Sequence, residues 1–195
     1  MKIVEKGNFG LVVQVLNSDG TYSATVKAID GLMKIELESS QETANIPADD
    51  LPDYYTSRGP LILTGTLTLA GVPLADYKEL FDAIEDKNGV VIAGGYVEVK
   101  KLGLAFKNRA SDGSINQFTL NNVNLTLPPI KTATLDESGT TIREFAIPIT
   151  ANPYEYTDEG GDAARVTYSI LNSTKNATIW ESANGKIYVP DTTIA

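Results

Sequence analysis

Runs rich in Val, Ile and Thr alternate along this chain with Asp-Gly and Asn-Gly pairs, and no other feature restricts the fold as much. There are 13 Val, 16 Ile and 20 Thr, so 49 of 195 residues are β-branched. Such side chains are stiff at χ1 and pack well on a pleated surface, whereas Asn-Gly and Asp-Gly supply the positive φ of tight hairpin turns. The pairs Asp19-Gly20, Asn88-Gly89, Asp112-Gly113 and Asn184-Gly185 divide the apolar runs. The expected strands are 8–16, 22–29, 32–38, 61–69, 90–93, 96–106, 117–127, 143–150 and 165–171, with a last hairpin around Asn184-Gly185. The fold class is therefore mainly β.

One segment departs from the two-residue period. After Pro73, apolar residues fall at Leu74, Tyr77, Leu80, Phe81 and Ile84, the spacing of a single-faced helix. A short flanking α-helix is expected at about 73–87, stopped by Asn88-Gly89. Two strands change phase. Phe118 and Leu120 share one parity while Val123, Leu125 and Leu127 take the other, so a β-bulge is expected at Asn121-Asn122. Segment 96–106 switches likewise at Lys100-Lys101. Pro148, inside an apparent strand, cannot donate to a ladder and belongs where pairing ends. Residues 38–60 show no periodicity and read as a long extended loop. Its Leu51, Tyr54, Tyr55 and Arg58 have the character of an interface, whereas its acids need nothing but water.

Composition narrows the chemistry. The chain has no Cys and no His. Disulfides, thiolate nucleophiles, imidazole bases and the usual zinc ligands are therefore excluded. Phosphate-loop, dinucleotide and aspartic-protease signatures do not occur, and the acids are scattered over turns, so no enzyme activity, cofactor or metal is expected. The acidic run Asp158-Glu159-Gly160-Gly161-Asp162 lacks the alternating ligands of a calcium loop and reads as a solvated turn. With 25 acids against 16 bases, the net charge of −9 opposes gripping DNA or an anionic membrane. Lys100, Lys101, Lys107 and Arg109 form the one basic concentration and suit a subunit contact better than nucleic acid. No apolar stretch is long enough for a membrane helix, and Glu5, Asn8 and Gln14 interrupt what a signal peptide would keep apolar, so a soluble chain without a cleaved signal is expected.

The order of elements resembles one family. The Asp19-Gly20-Thr21-Tyr22 turn, Ala28-Ile29 leading to Ile35-Glu36-Leu37, and Ala48-Asp49-Asp50 come first. Ile62-Leu63-Thr64-Gly65-Thr66-Leu67-Thr68-Leu69 then precedes Pro73-Leu74 and a helix, followed by Asp86-Lys87-Asn88-Gly89-Val90. Together with the strands around Tyr96–Phe106, Phe118–Leu127 and Phe145–Thr150, this order is similar to the major tail tube proteins of long, non-contractile-tailed bacteriophages.

The resemblance implies a two-sheet β-sandwich or split barrel over residues 1–156, with 157–195 a C-terminal extension or arm. It implies a structural virion protein, made in the host bacterial cytoplasm, whose copies form stacked rings, six to a ring, as a conduit for DNA ejection. Its implied partners are other copies of itself, tape measure and tail terminator proteins, and double-stranded DNA in transit, with no membrane.

The family's inter-ring loop falls on residues 38–60, which makes Asp49, Asp50, Leu51, Tyr54, Tyr55 and Arg58 contact candidates. A wall that must not bind DNA should be neutral or acidic. Thr64, Thr66 and Thr68 on one parity, and Asn122, Asn124 and Thr126 on another strand, meet that requirement as lumen candidates. The competing reading is a monomeric carbohydrate-binding or adhesin-like β-sandwich, whose aromatic platform would have to come from Trp180, Tyr54-Tyr55 or Tyr154 and Tyr156.

Overall fold

The computed structural model describes residues 5–48, 51–81, 83–93, 100–128, 144–157 and 163–190. Its principal sheet is antiparallel and runs in the order β2 (Lys27–Ile29), β1 (Glu5–Val15), β9 (Leu102–Ala110), β10 (Ile115–Leu125), β11 (Phe145–Ala151), β6 (Ile62–Leu69), β3 (Leu32–Ser40). β14 (Tyr168–Asn172) branches from it by pairing with the first half of β10, while β11 pairs with the second half. Among the described residues three two-stranded ribbons accompany it: β4 (Thr43–Ala48) with β5 (Leu51–Arg58), β7 (Ile84–Glu85) with β8 (Val91–Ile92), and β12 (Tyr154–Thr157) with β13 (Ala163–Val166). The fold is mainly β, and among the described residues its several antiparallel sheets do not close into a barrel, in line with the β-sandwich expectation.

Alternation along the strands explains the core. Leu63, Leu67 and Leu69 of β6, Ile147, Ile149 and Ala151 of β11, Leu102 and Leu104 of β9, and Leu11 and Val13 of β1 are all buried in one cluster. α1 (Leu74–Phe81) covers it with Leu80 and Phe81. Phe106 and Phe118, directly paired across β9 and β10, stack at 5.2 Å. Each such side chain contributes roughly 1.5–3 kcal/mol on burial.

The bulge expected in β10 is present. The register slips between Leu120 and Val123, and Asn122 takes φ 50°, a conformation Asn tolerates better than most residues. Two asparagines thus oppose Gly103 alone, so Leu120 and Val123 both reach the core. Pro148 also obeys its constraint. Its carbonyl accepts from Thr126 N at 3.0 Å, so its missing donor points to the same side, just past the last residue of β10. The ladder on that side has already ended.

Four expectations need correction. Residues 38–60 are an extension of β3 followed by the β4–β5 hairpin, in register from Thr43↔Arg58 to Ala48↔Leu51. Both faces of its base end are exposed, so no apolar alternation marks it in sequence. The helix expected at 73–87 stops at Phe81, and Ile84 pairs with Ile92 in β7–β8 instead of extending the apolar face. The strand expected over 22–29 is reduced to a bridge at Tyr22 and the short β2. Asn184-Gly185 ends a helix, α2 (Ala177–Ala183), instead of turning a hairpin. Gly185 has φ 76°, and left-handed glycine serves a helix terminus as well as a hairpin turn. Strand β9 begins only at Leu102, so Lys100-Lys101 precede it, and residues 96–99 lie outside those described.

Candidate functional site

The side chains proposed for the lumen come together on one surface. β6 buries one parity and turns Thr64, Thr66 and Thr68 to the other face of the sheet. Register then aligns rows across four strands. Glu38 pairs with Thr64, Thr64 with Thr150, and Thr150 with Asn124. One row along, Glu36 pairs with Thr66 and Thr66 with Pro148, whose carbonyl holds Thr126. Lys34, Thr68 and Ala146 make the third row. The β3–β6–β11–β10 face is thus hydroxyl- and amide-rich, and its charges are Lys34, Glu36 and Glu38, with Lys34 paired to Glu36 at 2.6 Å. Asn122 lies at the margin, where its amide donates to Pro153 O at 3.0 Å.

The same side of β9 and β10 is covered by the chain's own C-terminal segment. Gln117, wholly buried, donates from Nε2 to the carbonyls of Ala183 and Lys186 at 3.0 Å each, and its Oε1 accepts from Gly185 N at 2.8 Å. Gln14 Oε1 accepts from Ile187 N at 2.6 Å, while its Nε2 donates to Ser23 O at 2.7 Å. Ile187 and Tyr22 pack over Gly103, where a Cβ would come within 2.7 Å and 2.6 Å of them. Tyr22 hydroxyl donates to Asn121 Oδ1 at 3.1 Å, and burial pushes its pKa well above the usual phenol range. Sequence reasoning missed both glutamines, although a polar side chain inside an otherwise apolar run such as Leu11-Val12-Val13-Gln14-Val15-Leu16 is a signal that something specific must receive it.

The β4–β5 hairpin carries the contact candidates. Asp49 and Asp50 lie outside the described residues, joining Ala48 to Leu51. Leu51 and Tyr54 sit on β5; Tyr55 is 57% exposed opposite Ile46, itself 54% exposed, and Arg58 is exposed at the base. Ile46 and Tyr55 thus form an exposed apolar cross-strand pair, as Ile84 and Ile92 do on β7–β8. At the hairpin's base, Arg58 and Leu61 face Arg165, Val166 and Tyr168 across a cleft of about 550 Å³.

The basic concentration is dispersed among structural contacts. Lys100 donates to Lys78 O at 2.8 Å, Arg109 stands over the Phe9 ring at 5.7 Å, and partial burial holds Lys107 below the usual lysine range. Tyr154 is engaged within the fold, its ring 5.8 Å from Tyr22 and its hydroxyl donating to Gly20 O at 2.6 Å. The acidic run 158–162 lies outside the described residues, and among those described no three acidic side chains converge as metal ligands.

The described residues thus form a β-framework with a broad polar face, a two-stranded hairpin and exposed apolar side chains. The chain belongs to the phage tail tube protein family, whose model matches residues 4–195. It is accordingly a structural component of the virion tail, a class that self-assembles and contacts other tail proteins. Comparison with curated proteins finds no match.

Proposed function

We propose that six copies close into a ring, that rings stack into a tube carrying DNA during ejection, and that the β3–β6–β11–β10 face lines its bore. The alignment of Thr64, Thr66, Thr68, Asn124 and Thr126 on one four-stranded face carries this reading. Six copies contributing four strands each, spaced ~4.8 Å apart, enclose a backbone-to-backbone diameter of at least ~37 Å, and strand tilt widens it. A DNA duplex fits inside. The face carries one Lys and two Glu, so each copy adds −1 to the wall and the wall repels phosphate instead of releasing its counterions. β3 supports closure from its position, since its far edge pairs with no strand among the described residues.

The β4–β5 hairpin reaches between rings, and tape measure and tail terminator proteins meet the lumen and the end of the tube. The subunit is made in the host cytoplasm before assembly. Thr64→Lys with Thr126→Lys tests the wall. Both positions are exposed, so tubes should assemble normally, while the face changes from −1 to +1 per copy. DNA ejection should slow at low salt and recover as salt rises, because counterion release is what salt suppresses. Normal assembly with normal ejection at every salt concentration would place this face outside the bore.

A further inference from the structure

We propose that Asn184 is a deamidation site that Gln117 keeps latent, open to reaction only when the C-terminal segment leaves the sheet. The chain has two Asn-Gly pairs, Asn88-Gly89 and Asn184-Gly185. Such pairs convert spontaneously in water, because glycine has no Cβ to obstruct attack by its own backbone nitrogen on the preceding side chain. At Asn184 the nitrogen of Gly185 loses its proton to hydroxide and bonds to Cγ, the Cγ–Nδ2 bond breaks, and ammonia leaves with a proton taken from water. Water then opens the succinimide at either carbonyl, giving aspartate or isoaspartate. The reaction therefore needs a free glycine N–H and free rotation about the asparagine Cα–C bond, which brings that nitrogen round to the side chain.

Neither is free at Asn184, although its side chain is exposed. Gly185 N donates to Oε1 of the wholly buried Gln117 at 2.8 Å. Asn184 has φ −61° and ψ 119°, Gly185 has φ 76°, and Lys186 N donates to Ala183 O at 3.1 Å, which together make a type II turn. That ψ turns the nitrogen of Gly185 away from Cβ of Asn184, so the ring cannot close until the turn rotates. Rotation breaks the neighbouring anchors as well, since Gln117 Nε2 holds the carbonyls of Ala183 and Lys186 and Gln14 Oε1 holds Ile187 N. Asn88 is held only by its own turn. Gly89 N donates to Asp86 O at 3.0 Å and Asn88 N to Asp86 Oδ1 at 2.8 Å, with Asn88 and Gly89 both exposed. The β7–β8 ribbon that this turn closes has two residues in each strand, too few to resist local opening. Isoaspartate at 184 would add a carbon to the backbone between Ala183 and Gly185, both gripped by Gln117, so a converted segment could not dock again in the same register.

Incubation of the full chain in mildly alkaline buffer, native and in urea, followed by peptide mapping with mass spectrometry, tests this. In urea the two asparagines should convert at similar rates. In the native chain Asn184 should convert at least roughly tenfold more slowly than in urea, while Asn88 stays within a few-fold of its unfolded rate. Gln117→Leu should raise the native rate at Asn184 by at least roughly tenfold and leave the rate at Asn88 unchanged. If that variant loses the β signal in circular dichroism, Ile187→Ser, which alters only the segment itself, takes its place with the same expectation. Conversion of Asn184 in the native chain at its unfolded rate would overturn the proposal, and so would undiminished protection of Asn184 in the folded variant.

Discussion

Replacing Gln117 by Leu should release the C-terminal segment from the sheet. The side chain makes three hydrogen bonds to backbone groups of Ala183, Gly185 and Lys186, and it is fully buried. Leu is slightly larger and γ-branched, so no cavity opens and the loss is chiefly polar. At ~1 kcal/mol net per bond, three bonds amount to about 3 kcal/mol. Stranded carbonyls would raise that figure, chiefly at buried Ala183, whereas Lys186 is exposed enough for water to relieve its share. Against a domain stability of ~5–15 kcal/mol this is a large fraction, equivalent to a Tm lower by roughly 6–12 °C at this chain length. Trp180 is the sole tryptophan and lies in α2, three residues before Ala183, so its emission reports the segment directly. The variant should show red-shifted emission under native conditions and an earlier thermal transition by circular dichroism. A Tm within 2 °C of the parent with unchanged emission would refute the claim that these bonds hold the segment down.

Gly65→Ala should prevent β3 from pairing with β6, because the new Cβ would overlap the Glu36 backbone carbonyl; expression in the insoluble fraction or loss of the β signal in circular dichroism checks this. Gly103→Val should resemble Gln117→Leu by displacing Ile187 and Tyr22, seen again as red-shifted Trp180 emission. The turn aspartates predict an acid limit. Asp112 Oδ1 accepts from Ser114 N at 2.9 Å and from Ser114 Oγ at 2.7 Å, which lowers its pKa below 3.8, as comparable bonds do for Asp19 and Asp86. A folded pKa below the unfolded one means that the stabilisation is complete above the unfolded value and disappears as pH falls through the folded one. Tm should therefore decline as pH drops below about 3.8, and less steeply in Asp112→Asn, as calorimetry across pH would show.

Which features were legible in the sequence follows from what each strand faces. β6 and β11 bury one side and wet the other, so Thr64, Thr66 and Thr68 announced their common face through simple alternation. The bulge at Asn121-Asn122 was legible because a slipped parity has few other remedies. The hairpin at β4–β5 was not, because neither face of its base packs on a core and period-two hydrophobicity never develops. Asn184-Gly185 misled for a different reason. Its positive φ is equally at home in a hairpin and after a helix, and the deciding partner, Gln117, is 68 positions away from Gly185. The cleft between Arg58 and Arg165 likewise depends on tertiary placement, since 107 positions of chain separate its two cations.

Reconstruction of assembled tubes by electron cryomicroscopy would show whether the polar four-stranded face lines the bore. The map should show six-fold rings with Thr64, Thr66, Thr68 and Asn124 pointing into an open channel, flanked by Glu36 and Glu38. A map that buries those threonines between subunits, or turns them to the outer surface of the tube, would contradict it.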